Sequence, residues 1–170
     1  MKKATWKIRS WKERGDWAEM QFMARATANG FTVTKPWGDS ARYDFAVERN
    51  GIFQRVQVKS TAARSGPSYI CNTIGGPSNK NRKYDSKHVD FFAIILVPEE
   101  VWYIIPVGAL GRERSCFNLN PQNPTHRYFK YLEAWHLLKQ AVGVDINAEA
   151  DASSVYQAPS SESAPLVSGF

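Results

Sequence analysis

The stretch RYDFAVERNGIFQRVQVKS, residues 42–60, decides the fold of this 170-residue chain. At its centre, Asn50-Gly51 is the strongest short signal for a two-residue β-hairpin turn, because a type I′ turn requires positive φ at both positions. Counting outward from the turn, Phe45 faces Val56 across the hairpin. The apolar positions of both strands share one face and the polar positions share the other. This agreement supports the register, because a slip by one residue would bury the polar face.

The polar face of this hairpin brings together groups that can perform chemistry. The same register places Asp44 opposite Gln57, and directly opposed residues have Cβ atoms about 4.5–5.5 Å apart. Lys59, two residues beyond Gln57, projects from the same face. A carboxylate, an amide oxygen and an ammonium suit a hard divalent cation and an attack of water on a phosphodiester. The alternative is that Lys59 is an ordinary salt-bridge partner of Asp44 on a solvated face.

Periodicity and turn residues predict the remaining elements. Asp16 and Glu19 have the spacing of a capping box, which predicts a helix from Asp16 to the stop signal Asn29-Gly30. A second helix is expected over residues 128–142. Strands are expected over residues 31–35, 68–73, 91–97 and 101–106. Polar loops are expected over residues 60–88, apart from the strand at 68–73, and over residues 111–127.

Composition and charge divide the chain into three parts. Hydrophobic residues make up 43% and charged residues 22%, which is typical of a globular domain. The net charge is +6, yet residues 143–170 contain four acidic residues and no Lys or Arg, which leaves +10 on residues 1–142. We therefore expect a basic N-terminal arm (1–14), a folded domain (15–142) and a disordered acidic tail (143–170).

The basic excess favours a polyanionic partner, nucleic acid before membrane. The alternative is a basic domain with a solvated charged surface. No apolar run approaches the ~20 residues that span a bilayer, and no secretory signal is visible. The two cysteines, Cys71 and Cys116, suit a reducing cytoplasm. The candidate nucleic-acid contacts lie in the arm and in the loop at 79–87: Lys7, Arg9, Lys12, Lys80, Arg82, Lys83 and Lys87.

Asp44 followed by Gln57-Val58-Lys59 resembles the signature of the PD-(D/E)xK nuclease superfamily. The similarity extends over about residues 12–138 and is greatest to the branch of group I intron-encoded homing endonucleases and their free-standing bacterial relatives. The blocks that carry it are GDWAE at 15–19, KPWGDS at 35–40, YD at 43–44, VQVKST at 56–61, DFF at 90–92, VWYIIP at 101–106 and EAW at 133–135.

The resemblance implies an α/β fold with a restriction-endonuclease-like core, in which a central mixed β-sheet is flanked by helices in αβββαβ order. It implies a Mg²⁺-dependent endonuclease of double-stranded DNA, with Mn²⁺ as a substitute ion, that leaves a 5′-phosphate and a 3′-hydroxyl. A homo-oligomer, either a dimer or a tetramer, is expected because relatives act as oligomers. Cleavage of both strands of a duplex also needs two active sites or two successive binding events.

The resemblance also assigns roles to individual residues. Asp44 would be the principal metal ligand, joined by the side-chain oxygen of Gln57 and the backbone carbonyl of Val58. Lys59 would orient or activate the attacking water. Glu19 matches the acidic helix residue that supports the metal site, and the alternative is that it only closes the capping box.

Several positions qualify the resemblance. Tyr43 stands where the superfamily name has Pro. Gln57 stands where most relatives have Asp or Glu. The homing endonuclease branch is known for Gln at this position. An amide contributes no charge to hold the metal. Asp39 is either an extra ligand or a turn residue. The three histidines receive no catalytic role, because none pairs with a second ligand at metal spacing.

Two rival functions follow from the same residues. The first is a nuclease that reads DNA structure, such as a Holliday-junction or repair enzyme. The second is a non-catalytic DNA-binding module on a nuclease scaffold, with Gln57 marking the loss of activity.

Overall fold

The computed structural model describes residues 10–38, 40–73, 84, 86–110 and 116–139. One α-helix, α1 (Trp11–Ala28), comes first among them. The strands are β1 (Thr32–Thr34), β2 (Phe45–Arg49), β3 (Ile52–Thr61), β4 (Arg64–Ser65), β5 (Ser68–Asn72), β6 (Phe91–Leu96), β7 (Val101–Pro106) and β8 (Cys116–Leu119). Among the described residues, 3-10 helices cover Val107–Leu110, Phe129–Tyr131 and Trp135–Lys139.

A five-stranded mixed sheet, ordered β1-β2-β3-β6-β7, forms the centre of the fold. β3 and β6 run parallel and the other neighbours are antiparallel. The β2–β3 hairpin has the predicted register, with Phe45 opposite Val56. Asn50 and Gly51 have φ of 54° and 79°, as a type I′ turn requires. The predicted α/β class with a central mixed sheet is confirmed.

The two faces of this sheet bury separate apolar cores. Helix α1 covers one face, where Ala18, Phe22 and Ala26 pack against the apolar residues of β2, β3, β6 and β7. A small sheet, ordered β4-β5-β8, covers the other face and packs on Phe92 and Ile94 of β6. Since successive strand residues alternate between faces, Val56 and Val58 lie under α1 while Gln57 and Lys59 lie on the side of the small sheet.

The start of α1 differs from the prediction. The N-cap is Ser10, whose hydroxyl oxygen accepts a hydrogen bond from the backbone N–H of Glu13 at 3.1 Å. Ser10 and Glu13 have the same spacing as Asp16 and Glu19, and the earlier pair begins the helix. The capping-box role for Glu19 is therefore wrong, because Asp16 and Glu19 lie within the helix. The predicted end is correct, with Asn29 as the C-cap and Gly30 at φ 82°.

The continuous helix expected over residues 128–142 is also wrong. Two 3-10 helices stand there instead, separated by Glu133, whose φ is 50°. The backbone N–H of Glu133 donates to the carbonyl oxygen of Trp102 at 2.7 Å, and one carboxylate oxygen accepts the Trp102 N–H at 2.7 Å. These bonds to β7 stop the helix, and the neighbouring Leu132 forms a β-bridge with Tyr103.

Strand β8 lies in a segment that was expected to be loop. It pairs with β5, so that Cys71 faces Phe117 and Asn72 faces Cys116. Residues 140–142, the end of the expected helix, and the expected tail lie outside the described residues. Within the described part of the chain, no helix is long and apolar enough to cross a membrane.

Candidate active site

Asp44 lies one residue before β2, at the edge of β3. Its backbone N–H donates to the carbonyl oxygen of Val56 at 2.9 Å. Since Val56 lies directly opposite Phe45, regular pairing would not direct the Asp44 N–H to it, so the chain leaves the hairpin register at Asp44. One carboxylate oxygen, Oδ2, accepts the backbone N–H of Val58 at 2.7 Å and the side-chain amide of Gln57. The structure thus brings Asp44 and Gln57 into contact, as the hairpin register predicted.

The backbone of Val58 faces the same position. In a strand, the N–H and C=O of one residue point to the same side. The Val58 N–H is bonded to Asp44, so the Val58 carbonyl also points to this side of β3. Because β2 begins at Phe45, opposite Val56, no strand of the described residues pairs with this side of β3 at Val58.

Burial controls the electrostatics of Asp44. It raises the pKa of Asp44 above its ordinary value, and the opposing effects of the Val58 N–H and the Lys59 charge do not cancel this rise. The negative charge of Glu19 adds to the rise. Asp44 is therefore a partly buried carboxylate whose ionised form would gain from a cation beside it.

Lys59 stands next to this carboxylate without forming a close ion pair. Within the described part of the chain, its ammonium has no carboxylate oxygen within 4.0 Å, although its charge acts on Asp44. The Lys59 Nζ lies 5.5 Å from the centre of the Tyr84 ring, within the range of a cation–π contact. The structure therefore does not support the alternative that Lys59 is an ordinary salt-bridge partner of Asp44.

Glu19 reaches the site from the middle of α1. Its Oε2 accepts a hydrogen bond from Lys35 Nζ at 2.7 Å, and this bond and the Glu19 charge raise the pKa of Lys35. The charge of Glu19 raises the pKa of Asp44, and the charge of Asp44 raises the pKa of Lys35. The helix therefore contributes a second carboxylate to the electrostatics of the site.

The oxygen donors at this position fit a hard divalent cation. They are the carboxylates of Asp44 and Glu19, the amide of Gln57 and the backbone carbonyl of Val58, which are the donor types that Mg²⁺ binds in proteins. Among the described residues no three His, Cys, Asp or Glu side chains form a cluster. In the structure Gln57 turns its amide nitrogen toward Asp44, so binding through oxygen requires rotation of the amide group.

Three residues near the site were not predicted. Arg42 donates to Nδ1 of His88 at 3.0 Å, and its guanidinium lies 5.8 Å from the centre of the Tyr84 ring. Tyr84 thus contacts both Arg42 and the Lys59 ammonium. The alternation of the hairpin places Arg42 on the Asp44 face, although it was not named as a site residue, and no sequence signal placed Tyr84 or His88 beside it.

The base of the predicted basic loop is held close to β3. Arg55 forms a two-point ion pair with Asp90, with N···O distances of 2.7 and 3.0 Å. Its guanidinium also donates to the carbonyl oxygens of Ser86 and Lys87. Because Arg55 precedes Gln57 by two residues on the same face, this clamp positions residues 86–90 beside the site.

The predicted nucleic-acid contacts are only partly visible. Lys12 is exposed on the first turn of α1, and Lys87 is exposed at the end of the basic loop. Lys7, Arg9, Lys80, Arg82, Lys83 and Asp39 lie outside the described residues.

The mixed sheet places the chain in the class of restriction-endonuclease-like folds. The sequence model of the PD-(D/E)XK endonuclease family matches residues 9–138, and the chain belongs to this family.

Solved structures that are similar to the chain include the following two. One is a bacterial homing endonuclease, I-Ssp6803I, with 31% identity and a TM-score of 0.64, over 76% of this chain and 91% of that one. The other is Hjc, a Holliday junction resolvase from the archaeal hyperthermophile Archaeoglobus fulgidus, with 14% identity and a TM-score of 0.49, over 75% of this chain and 97% of that one. Comparison with curated proteins finds no match.

Proposed function

We propose that this protein is a divalent-metal-dependent DNA endonuclease that hydrolyses phosphodiester bonds. The observation that carries the proposal is the Asp44 carboxylate, bound by Gln57 and the Val58 N–H beside the Lys59 ammonium, which has no close ion pair among the described residues. The membership of the nuclease family and the 31% identity to a homing endonuclease support it.

Mg²⁺, or Mn²⁺ in its place, would be held by Asp44, Gln57, the Val58 carbonyl and Glu19. Bound there, the ion would supply charge stabilisation to the phosphate and would lower the pKa of a coordinated water. The partly buried Asp44 suits this role, because low local polarity strengthens its attraction to a cation.

The residues of the chain itself have separable tasks. The Val58 N–H fixes the Asp44 carboxylate, so this oxygen need not be ordered again when DNA arrives. The Lys59 ammonium donates to the attacking water or to a phosphate oxygen, where negative charge develops. Tyr84 lies against Lys59 and limits the positions that its flexible stem can adopt.

The expected substrate is double-stranded DNA, and the expected products carry a 5′-phosphate and a 3′-hydroxyl. The basic residues of the arm and the loop would contact the backbone. Cleavage of both strands requires either two copies of this single site or two successive binding events, so we propose a dimer or tetramer.

A cleavage assay tests the proposal directly. Supercoiled plasmid and genomic DNA are incubated with the full chain in Mg²⁺, Mn²⁺ or EDTA, alongside the variant Asp44→Ala. We expect nicked or linear products with metal, and no products in EDTA or with the variant. Absence of cleavage by the wild type with every metal and DNA, with DNA binding retained, would instead establish a non-catalytic binding module. Four-way junctions compared with linear duplexes distinguish a structure-specific nuclease from a sequence-specific one.

A further inference from the structure

Tyr84 stands over the part of the central sheet that carries Gln57 and Lys59. Its ring meets the ring of Phe92 edge-on, with the ring centres 5.4 Å apart and the planes at 87°. Phe92 is fully buried and is the direct partner of Gln57 in the pairing of β3 with β6. The Lys59 Nζ lies 5.5 Å from the centre of the Tyr84 ring. Strand register and measured distances therefore both place Tyr84 in the candidate site.

The ring of Tyr84 is partly buried, whereas its hydroxyl group is open to solvent. Among the described residues, the buried side-chain polar atoms without a hydrogen-bond partner are Arg14 Nε and the hydroxyl oxygens of Tyr103 and Tyr128. The Tyr84 hydroxyl has no partner among the described residues either, yet it is not one of these buried atoms. It therefore reaches water. A tyrosine with an apolar body held by the protein and a free polar tip is typical of binding surfaces.

Positive charge lies on two sides of this ring. Besides the Lys59 ammonium, the Arg42 guanidinium lies 5.8 Å from the ring centre. Arg42 also donates to Nδ1 of His88 at 3.0 Å. Two cations beside one phenol favour an anionic oxygen near its hydroxyl. A hydrogen bond to an ionised acceptor is stronger than one between neutral groups.

We propose that Tyr84 is a DNA-binding residue, whose hydroxyl donates a hydrogen bond to a phosphate oxygen of the strand held at Lys59. This inference rests on the proposed nuclease function and adds a DNA contact to it. The contact with Phe92 fixes the ring before DNA arrives, so little side-chain freedom is lost on binding. Since the Lys59 ammonium lies against the same ring, a strand whose phosphate lies at Lys59 also passes this hydroxyl. The hydroxyl would add affinity without adding charge.

The test is a comparison of DNA binding by variants that differ in a single oxygen atom. Wild type, Tyr84→Phe, Tyr84→Leu and the control Tyr131→Phe are titrated into a labelled linear duplex of plasmid sequence. Ca²⁺ replaces Mg²⁺, and the titrations are repeated over a range of salt concentrations. Melting temperatures are measured without DNA.

Tyr131 is a matched control for Tyr84. It is also partly buried, and its ring also lies against an ammonium, that of Lys130 at 5.1 Å. The next residue, Leu132, bridges to Tyr103 of β7, which is two strands away from β3 in the sheet. The two Tyr→Phe variants thus remove the same group at and away from the site.

Tyr84→Phe should bind DNA roughly three- to tenfold more weakly than wild type, as expected for the loss of one hydrogen bond. The factor should be the same at every salt concentration, because a neutral donor releases no counterion and the slope is set by charged contacts. Tyr84→Leu should bind at least as weakly as Tyr84→Phe, and Tyr131→Phe should bind like wild type. Since the Tyr84 hydroxyl has no partner among the described residues, Tyr84→Phe should melt within a few degrees of wild type.

Contrary results would overturn the inference in distinct ways. Equal affinities of Tyr84→Phe and wild type exclude the hydroxyl contact, and weaker binding by Tyr84→Leu alone assigns the effect to the ring. A flattened salt slope for Tyr84→Phe means that the substitution acts through the neighbouring cations. Equal losses in Tyr84→Phe and Tyr131→Phe, or a clearly lowered melting temperature of Tyr84→Phe, also exclude a specific contact.

The outcome is separable from that of the nuclease proposal. A wild type that cleaves DNA, with an inactive Asp44→Ala and a Tyr84→Phe of unchanged affinity, removes only the role of Tyr84. A wild type that binds DNA but cleaves none with any metal removes the nuclease proposal, and the role of the hydroxyl in binding is still decided by Tyr84→Phe. A wild type that neither binds nor cleaves DNA removes both.

Discussion

The backbone N–H of Val58 donates to the carboxylate of Asp44 at 2.7 Å. Asp44 is the residue directly before β2. This bond fixes the carboxylate beside β3, at the point where the pairing of β3 with β2 ends. The bond also explains why the pairing of β2 with β3 ends at Phe45. The side chain of Asp44 accepts the Val58 N–H, which a backbone carbonyl would otherwise accept. The same geometry leaves the oxygen atoms of Asp44 beside Gln57 and Lys59.

Asp44→Asn should stabilise the metal-free protein while abolishing cleavage. Burial raises the pKa of Asp44 above its value of 3.8 in an unfolded chain, so the folded state binds the proton more tightly. The ionised carboxylate therefore lowers stability at pH values above the raised pKa, and this cost disappears as the pH falls through it towards 3.8. We expect a higher melting temperature than wild type at pH 7 in EDTA, and a smaller difference at pH 4. A variant less stable than wild type at pH 7 would contradict the raised pKa.

Gln57→Glu should tighten metal binding and weaken the metal-free fold. A second carboxylate against Asp44 places like charges together, whereas the amide of Gln57 donates a hydrogen bond to Asp44. Without metal we expect a lower melting temperature than wild type at pH 7. With Mg²⁺ or Mn²⁺ the stabilisation by bound ligand should be larger and should begin at a lower metal concentration.

Thermal shifts across a metal titration measure both effects of Gln57→Glu. Asp44→Ala in the same titration is the control and should show no metal-dependent shift. If Gln57→Glu shifts no more than wild type at any metal concentration, Gln57 is not at the metal position.

The sequence predicted the local parts of this architecture and missed the parts that depend on distant contacts. The hairpin, its register and the approach of Asp44 to Gln57 follow from a turn and an alternating pattern within residues 42–60. The break at Glu133 could not be predicted, because its hydrogen-bond partner Trp102 lies 31 residues away. The strand Cys116–Leu119 was missed for the same reason, since only pairing with β5 makes it a strand.

The candidate active site likewise has features that the sequence predicted and features that it did not. Capping-box spacing occurs twice near the start of α1, at Ser10 and at Asp16, and spacing alone does not say which pair begins the helix. Glu19 was nevertheless nominated through the family resemblance, and in the structure its charge acts on Asp44.

Glu133→Ala should destabilise the fold. The carboxylate accepts the Trp102 N–H at 2.7 Å and the Trp135 indole N–H at 2.9 Å, and Trp102 and Trp135 are buried. Two donors left without an acceptor cost roughly 2–5 kcal/mol together, which corresponds to a melting temperature lower by roughly 5–20 °C.

The control for Glu133→Ala is Arg25→Met, which removes only the exposed ion pair to the same carboxylate. It should cost at most about 1 kcal/mol. Equal melting temperatures for the two variants would mean that the carboxylate does not hold β7 and Trp135 together.

Replacement of Lys80, Arg82 and Lys83 by Ala should weaken DNA binding through its salt dependence. Each phosphate contact contributes about −0.9 to the slope of log affinity against log salt, so three contacts should flatten it by roughly two to three units. Arg55 holds the end of this loop beside the site, which favours contact with DNA. A variant with Arg25, Lys130 and Lys139 replaced by Ala removes the same charge elsewhere. Equal slopes for the two variants would place the loop away from DNA.

Lys59→Met separates a catalytic lysine from a structural one. In the described residues Lys59 makes no close ion pair, and its cation–π contact with Tyr84 is worth about 0.5–1 kcal/mol. Since methionine keeps most of the stem, the melting temperature should lie within a few degrees of wild type. A charge that acts on the transition state is worth about 3 kcal/mol, or at least a hundredfold in rate.

We therefore expect Lys59→Met to keep metal-dependent DNA binding and to cleave at least a hundredfold more slowly. Lys130→Met is the matched control, because Lys130 also contacts a tyrosine ring, that of Tyr131 at 5.1 Å, and it lies in the 3-10 helix Phe129–Tyr131. The two variants lose the same charge and the same type of contact, so a difference in cleavage rate between them reflects position alone. Cleavage by Lys59→Met within about threefold of the Lys130→Met rate, far short of the loss expected for a transition-state charge, would make Lys59 an ordinary surface lysine.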